Sequence, residues 1–292
     1  MNQLIALNDR QDLSDIINKG SEKDLQKLLG SEHTALESKL ARLSVNYATE
    51  DNDENTLPRG YYRLYDPDSR NTVFAKDVKL RPFVRTYMYN VWDNEENQFS
   101  CRTVQCKNMG DPFHDTSGGE KCGRLSREEQ KALPNDSAVL TQQKNIKCVQ
   151  VIYGLVTIEG KSATKEDYTL ENIPAVWYVK GASFIPVSDW FKSIDKEKKL
   201  YATIVGKLET IKQKRGGIQF WISRATTVET KDFSKKDRLV LESFIGDIMD
   251  HNSEIMEKHR EAKKAAPADS EILEALTPKE IDWNKLSEDM SA

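Results

Sequence analysis

The stretch Val78–Val91, VKLRPFVRTYMYNV, constrains the fold of this chain more than any other. Side chains on a strand alternate between two faces. At that period one face carries Val78, Leu80, Pro82, Val84, Thr86 and Met88, a surface to bury. The other carries Lys79, Arg81, Phe83, Arg85, Tyr87 and Tyr89. Unpaired Lys and Arg are almost never fully buried, so the second row is expected to face solvent or a ligand. Cations for phosphates, beside rings on which unstacked bases can lie, are what a single-stranded nucleic-acid site needs. The alternative is a solvated sheet face whose aromatics cover a neighbouring element.

The net charge of −4 conceals a pattern that fits this reading. Residues 1–59 hold 7 basic and 11 acidic side chains, residues 60–230 hold 26 and 21, and residues 231–292 hold 10 and 15. A basic middle between acidic flanks suits a polyanion-binding domain whose appendages repel or compete with the ligand. The mean hydropathy of −0.67 is that of a soluble protein. No apolar run approaches the roughly 20 residues that span a bilayer, and the N-terminus lacks the blocks of a secretory signal. Four cysteines in 292 residues suggest no disulfide scaffold, so a reducing cytoplasm is expected.

The first 50 residues read as short helices. Their apolar stripes are Leu13/Ile16/Ile17, Leu25/Leu28/Leu29 and Leu36/Leu40/Leu43. Residues 1–59 are therefore a helical extension ending in an acidic linker. Residues 60–230 form the expected β-rich domain. Gln98–Lys107 is the hairpin partner of the opening strand, and a long loop follows, with a short helix signalled by the capping box Ser126-x-x-Glu129. Ile146–Glu159 is apolar on both faces, as a central strand should be. Pro174–Lys180 is another strand, and Val187, Trp190, Phe191 and Ile194 share one helical face. Leu200–Ile211 and Ile218–Val228 are two strands around a tip whose Gly216-Gly217 supplies a tight turn. Strand, strand, strand, helix, strand, strand is the order of the five-stranded Greek-key barrel called the OB-fold, with Pro174–Lys180 continuing or decorating its third strand. The predicted class is β-rich α+β with helical N- and C-terminal extensions. A long helix is expected over 231–266, opened at Ser234 and buried through Leu241, Phe244, Ile245, Ile248, Met249 and Ile255. Residues 267–292 read as a flexible acidic tail with Trp283, Leu286 and Met290 as apolar anchors.

Catalytic motifs find little footing. Gly118–Leu125 is a near miss to the phosphate-binding loop, with Arg124 for the Lys and Leu125 for the hydroxyl that holds magnesium. A loop whose Lys121 and Arg124 close over nucleic acid is the better reading. Cys101, Cys106, His114 and Cys122 have the ligand types of a zinc site but a spacing of C-x4-C-x7-H-x7-C, unlike the short knuckles that carry specificity. Structural or free cysteines are the simpler expectation. His33, His251 and His259 fall on helices expected to be exposed, and His114 on a loop. No catalytic role and no cofactor is expected.

In organisation the chain resembles the OB-fold single-stranded DNA-binding proteins of tailed bacteriophages. The resemblance lies in the N-terminal extension, the basic-aromatic domain, the following helix and the acidic tail. It implies a non-catalytic protein that coats single strands during DNA replication, recombination and repair in the host cytoplasm. The tail would recruit replication proteins and compete with DNA. The DNA contacts would fall on Lys79, Arg81, Phe83, Arg85, Tyr87 and Tyr89, and on Arg102, Lys212, Lys214, Arg215 and Trp221. Self-association into a homo-oligomer is compatible with this reading, and no membrane partner is expected. Two other classes stay open: an assembly protein of a virion or complex, and an enzyme or accessory acting on nucleic acid.

Overall fold

A 17-residue strand, β4 (Asp77–Asp93), forms where the alternation predicts one, but its pairing is not continuous. Against β6 (Lys147–Ser162), Pro82 opposes Gly154 and Val84 opposes Tyr153, leaving Phe83 as an extra residue. Proline gives the ladder no N–H, and a bulge is where a strand tolerates it. A slip of one residue moves every later side chain to the other face. Before the bulge Arg81 opposes Leu155, which lies in a core with Phe83, Met88, Val149, Val151 and Tyr153. After it, Val84, Thr86 and Met88 oppose that core's residues, and Arg85, Tyr87 and Tyr89 look the opposite way. The six side chains read as one row are thus divided between two faces.

The computed structural model describes residues 40–47, 59–93, 95–135, 137–162 and 164–265. The helices expected before residue 40 and the acidic tail with Trp283, Leu286 and Met290 lie outside them. Leu36/Leu40/Leu43 mimics a helical stripe, yet Ala41–Val45 is a strand, β1. Leu43 is buried between β2 (Tyr62–Asp66) and β7 (Asp167–Val179), which pair with β1 on either side, so tertiary pairing overrides the local spacing. The domain boundary predicted at residue 60 therefore cuts through the sheet.

Nine strands form one mixed sheet among the described residues, completed by β3 (Asn71–Ala75), β5 (Gln98–Arg102), β8 (Ile204–Arg215) and β9 (Ile218–Thr230). The order is β3-β2-β1-β7-β6-β4-β8-β9, with β5 on the far end of β4. A short β3–β6 pairing partly closes β1, β2, β3, β6 and β7 into a ring. Four α-helices accompany them among the described residues: α1 (Arg127–Ala132), α2 (Ala138–Asn145), α3 (Phe184–Lys196) and α4 (Lys235–Ala265). The fold is a strand-rich α+β protein with more strands than the sequence order suggested. No helix among the described residues is long and apolar enough to cross a membrane.

Local signals are obeyed. Ser126 and Glu129 cap α1 reciprocally, Gly216 and Gly217 turn with φ of +54° and +85°, and α3 buries Val187, Trp190, Phe191 and Ile194. Those four pack on the ring residues Tyr62, Leu64, Ile152 and Trp177. The second core lies under α4, where Phe244 is fully buried and touches Phe83 and Tyr153. Ile245 and Met249 are exposed, correcting the wider stripe predicted for this helix. His259 and His251 sit on the buried side instead, bonded to the carbonyls of Asp115 and Thr103.

Ring closure depends on Gly160. A Cβ there would lie 2.0 Å from the Phe74 carbonyl oxygen, a backbone atom that moves only if β3 moves. Gly160→Ala is expected to cost about 1–3 kcal/mol, the range for overpacking, read as a lower urea midpoint. Gly110→Ala, where nothing lies within 4 Å, is the control.

Candidate nucleic-acid interface

Strands β1, β7, β6 and β4 lie side by side, and α4 covers only part of their shared face. Beyond Phe244 the face opens, among the described residues, into a cleft with a buried floor. Directly opposed residues share it: Met88 with Val149, Asn90 with Lys147, Asn90 with Arg102, and Trp92 with Phe99. Tyr178 opposes Val151 of the same core, and Arg42 opposes Val176. The result is an open cleft of about 620 Å³. Arg42, Arg102, Lys147 and Lys180 line it, with Trp92, Phe99, Tyr178 and His251 between them. No carboxylate is among the lining residues.

The rings are available. Trp92, Phe99 and Tyr178 are 43%, 43% and 38% exposed, a high value for large apolar groups on a sheet. Trp92 and Phe99 meet edge to face at 4.8 Å. Arg42 stands 5.8 Å over the Tyr178 ring and Arg102 stands 5.6 Å over Phe99, so each cation is already held beside an aromatic face. Burial of its hydroxyl end pushes the Tyr178 phenol up, keeping it neutral. Burial likewise pulls His251 down, more than its bond to the Thr103 carbonyl raises it. The positive charge of the cleft near pH 7 therefore rests on its two arginines and two lysines. Arg102 is partly compensated by Glu254 of α4 at 3.2 Å.

Most of the row predicted from β4 is engaged elsewhere. Arg81 is buried: its Nε donates to the Ala202 carbonyl, and its two other nitrogens reach both Asp237 oxygens and the Asp232 carbonyl. Phe83 packs on Phe233 and Phe244. Arg85 bonds Gln150 and Ser188 and lies between the rings of Tyr87 and Phe191. Tyr87 is half-buried against Phe184, and Tyr89 is buried against Phe113. Lys79 is exposed but borders a different groove, lined by Glu159, Glu171 and Glu229 as well as Arg81 and Lys231, where acids balance the cations. Arg124 donates to the carbonyls of Gln143 and Ile146 at the end of α2, a helix-terminating role. Lys121 lies 6.0 Å over the Phe113 ring. The corrections at Arg81, Phe83, Arg85, Tyr87 and Tyr89 share one cause: with the bulge, both faces of β4 have neighbours, α4 on one side and α3 with Phe113 on the other.

The ribbon β8–β9 keeps the predicted group together. Lys212 opposes Trp221, and Lys214 and Arg215 continue exposed to the Gly-Gly tip. Arg59 stands 5.6 Å and Lys212 6.0 Å over the Trp221 ring, and Tyr47 closes its edge. This is a second basic-aromatic surface.

Of the cysteine–histidine set, Cys101 and Cys122 come together with Asp115, their ligand atoms all within 4.8 Å. Cys106 points instead to the Pro112 carbonyl. His114 lies against His259, 4.8 Å between ring centres. The Asp115 carboxylate already accepts the amides of Ser117, Gly119 and Cys122.

Sequence reasoning had a handle on part of the cleft. Trp177 and Tyr178 must face opposite ways, so a buried Trp177 exposes Tyr178, and Trp92 closes the aromatic strand. Arg42 gave no such signal, because it lies in a stretch that reads as helix. Among known proteins, no family model matches the chain, and no curated protein or solved structure matches it either.

Proposed function

We propose that the chain is a non-catalytic single-stranded DNA-binding protein whose cleft on β1, β7, β6, β4 and β5 is the binding bed. One observation carries the reading: four cations and three exposed rings share an open strand surface whose lining holds no carboxylate. Stacking tolerates any base, and the cations neutralise the backbone. An OB-like description belongs to the same proposal. β4 pairs with β8 and β8 with β9 as such a barrel requires, although β4 also pairs directly with β6, where the barrel would place β5 between them. Roles in replication, recombination or repair, and a bacteriophage source, extend it through the resemblance in organisation.

The test is a titration of tryptophan fluorescence with oligo-dT and oligo-U. Trp177 and Trp190 are buried and report little. Quenching that disappears in Trp92→Phe places the strand in the cleft, and quenching that disappears in Trp221→Phe places it on the ribbon. No saturable change with either oligonucleotide at low salt rejects the proposal, and a stronger response to oligo-U turns it toward RNA.

The tail adds an expected result. Residues 268–292 carry 7 acids and 2 bases, against a net +5 over 60–230. A polyanion carried on the same chain as a cationic cleft competes at high effective concentration, screened over about 8 Å at physiological salt. Deleting residues 268–292 tightens DNA binding, most at low salt, in a filter-binding or anisotropy assay. Weaker binding would show that the tail assists instead. The assembly reading draws on one feature: Ile245 and Met249, one turn apart on α4, are 44% and 63% exposed, an apolar pair that suits a protein contact.

A further inference from the structure

Cys101 is the penultimate residue of β5, and Cys122 sits in the turn Lys121–Gly123 that packs against that strand. Both are free thiols, Cys101 at the edge of burial with 9% exposure and Cys122 more open, so only a small oxidant reaches the pair, and their sulfurs lie within 4.8 Å of each other. The turn is held open for this approach by an unusual backbone. Lys121 and Cys122 are consecutive non-glycine residues with φ of +53° and +54°, a left-handed conformation that side chains other than Asn and Asp seldom adopt. Asp115 stabilises it by accepting three backbone amides, one of them that of Cys122 itself. Strain of this kind concentrates where a site must present a group. We propose that Cys101 and Cys122 form a redox-active dithiol that small hydroperoxides convert to an intramolecular disulfide joining β5 to the Asp115–Arg124 loop.

The chemistry balances. The Cys101 thiolate attacks one peroxide oxygen, the O–O bond breaks, and hydroxide leaves, giving a sulfenic acid. The Cys122 sulfur then displaces the hydroxyl of that sulfenic acid, and its proton leaves with it as water. Two thiols lose two electrons in all, and the peroxide gains them. The pair is also polarised for these roles. The adjacent Cys122 thiol draws the Cys101 thiol down against the opposing effect of burial, with the hydroxyls of Ser117 and Thr116 assisting. The neighbouring Cys101 sulfur and then burial push the Cys122 thiol up, and that thiol donates to the Tyr89 carbonyl at 3.9 Å. The Ser117 hydroxyl lies 3.7 Å from the Cys101 sulfur. Neither remaining cysteine has these features: burial raises Cys106 to about 11 and raises Cys148. This assignment does not rest on the nucleic-acid reading. It does place the bridge on the strand that carries Phe99 and Arg102.

The full chain, freed of metal with a chelator, is treated with about one equivalent of hydrogen peroxide, alkylated and mapped by mass spectrometry. The alkylatable thiols are expected to fall from four to two, with Cys101 joined to Cys122, and to return to four with dithiothreitol. In Cys122→Ser the sulfenic acid persists and is captured on Cys101 by dimedone. If that variant does not fold, judged by circular dichroism, the wild-type map alone decides. Alkylation of Cys101 and Cys122 on a par with Cys106 and Cys148 after peroxide overturns the proposal. So does protection of the pair before the chelator is added, which would mark the cluster as a metal site.

Discussion

Asp237→Ala is expected to cost about 3–5 kcal/mol, the range for breaking a buried ion pair from one side, and a large share of the roughly 5–15 kcal/mol that holds a domain folded. The variant strands the buried Arg81 guanidinium on β4 without its carboxylate. It also removes the start of α4, where the Ser234 amide and hydroxyl donate to Asp237 and the Ser234 hydroxyl accepts the Asp237 amide. Urea denaturation followed by far-UV circular dichroism measures it. Arg81→Met/Asp237→Ala should cost less than the sum of the two single variants, because no charge is left alone. Burial by itself pushes the Asp237 carboxyl up, but bonds from Arg81 and Ser234 outweigh it and hold the group below its ordinary value. The stabilisation is therefore complete above the unfolded value of about 3.9 and is lost as the pH falls from there through the folded value. Wild type should lose stability over that acid window and Asp237→Ala should lose less. An Arg81→Ala protein that stays fully stable and binds DNA less well would return Arg81 to the binding surface.

The second large effect concerns affinity. Trp92→Ala and Tyr178→Ala are each expected to weaken single-stranded DNA binding by about 1–3 kcal/mol, the worth of one stacked base, with the salt dependence unchanged. Arg42→Ala/Lys180→Ala should act in the other way. Each lost phosphate contact flattens the log–log salt slope by about 0.7, so the pair should flatten it by about 1.4. Arg102→Ala should do less, because Glu254 already occupies part of that guanidinium. Lys79→Ala, in a separate groove whose cations are balanced by Glu159, Glu171 and Glu229, should change neither quantity. Fluorescence anisotropy from low to moderate salt separates the cases. Full affinity in Trp92→Ala and an unchanged slope in the double variant would move the binding bed to the Lys212–Trp221 ribbon.

Where the deciding interactions span a few residues, the chain declared its structure. The α3 stripe, the Ser126–Glu129 cap, the Ser234 start of α4, the Gly216-Gly217 turn and the two-faced strand β6 all depend on neighbours within a turn or on one strand's own period. The presence of cations and aromatic rings on the strands was legible in the sequence for the same reason: it is a property of residue types. The location of the site was not. One extra residue at Phe83 sends Arg81 and Arg85 to opposite faces; Pro82 is the one local sign of a bulge, and the alternation alone conceals it. Arg42, Lys147, Tyr178 and Trp92 lie on four strands far apart in sequence, and register alone makes them neighbours. The helical spacing around Leu40 yielded to pairing with β2 and β7, because burying Leu43 in the ring outweighs a weak local preference. Charge and element type were written in the sequence, whereas the face on which each charge stands was settled by long-range pairing.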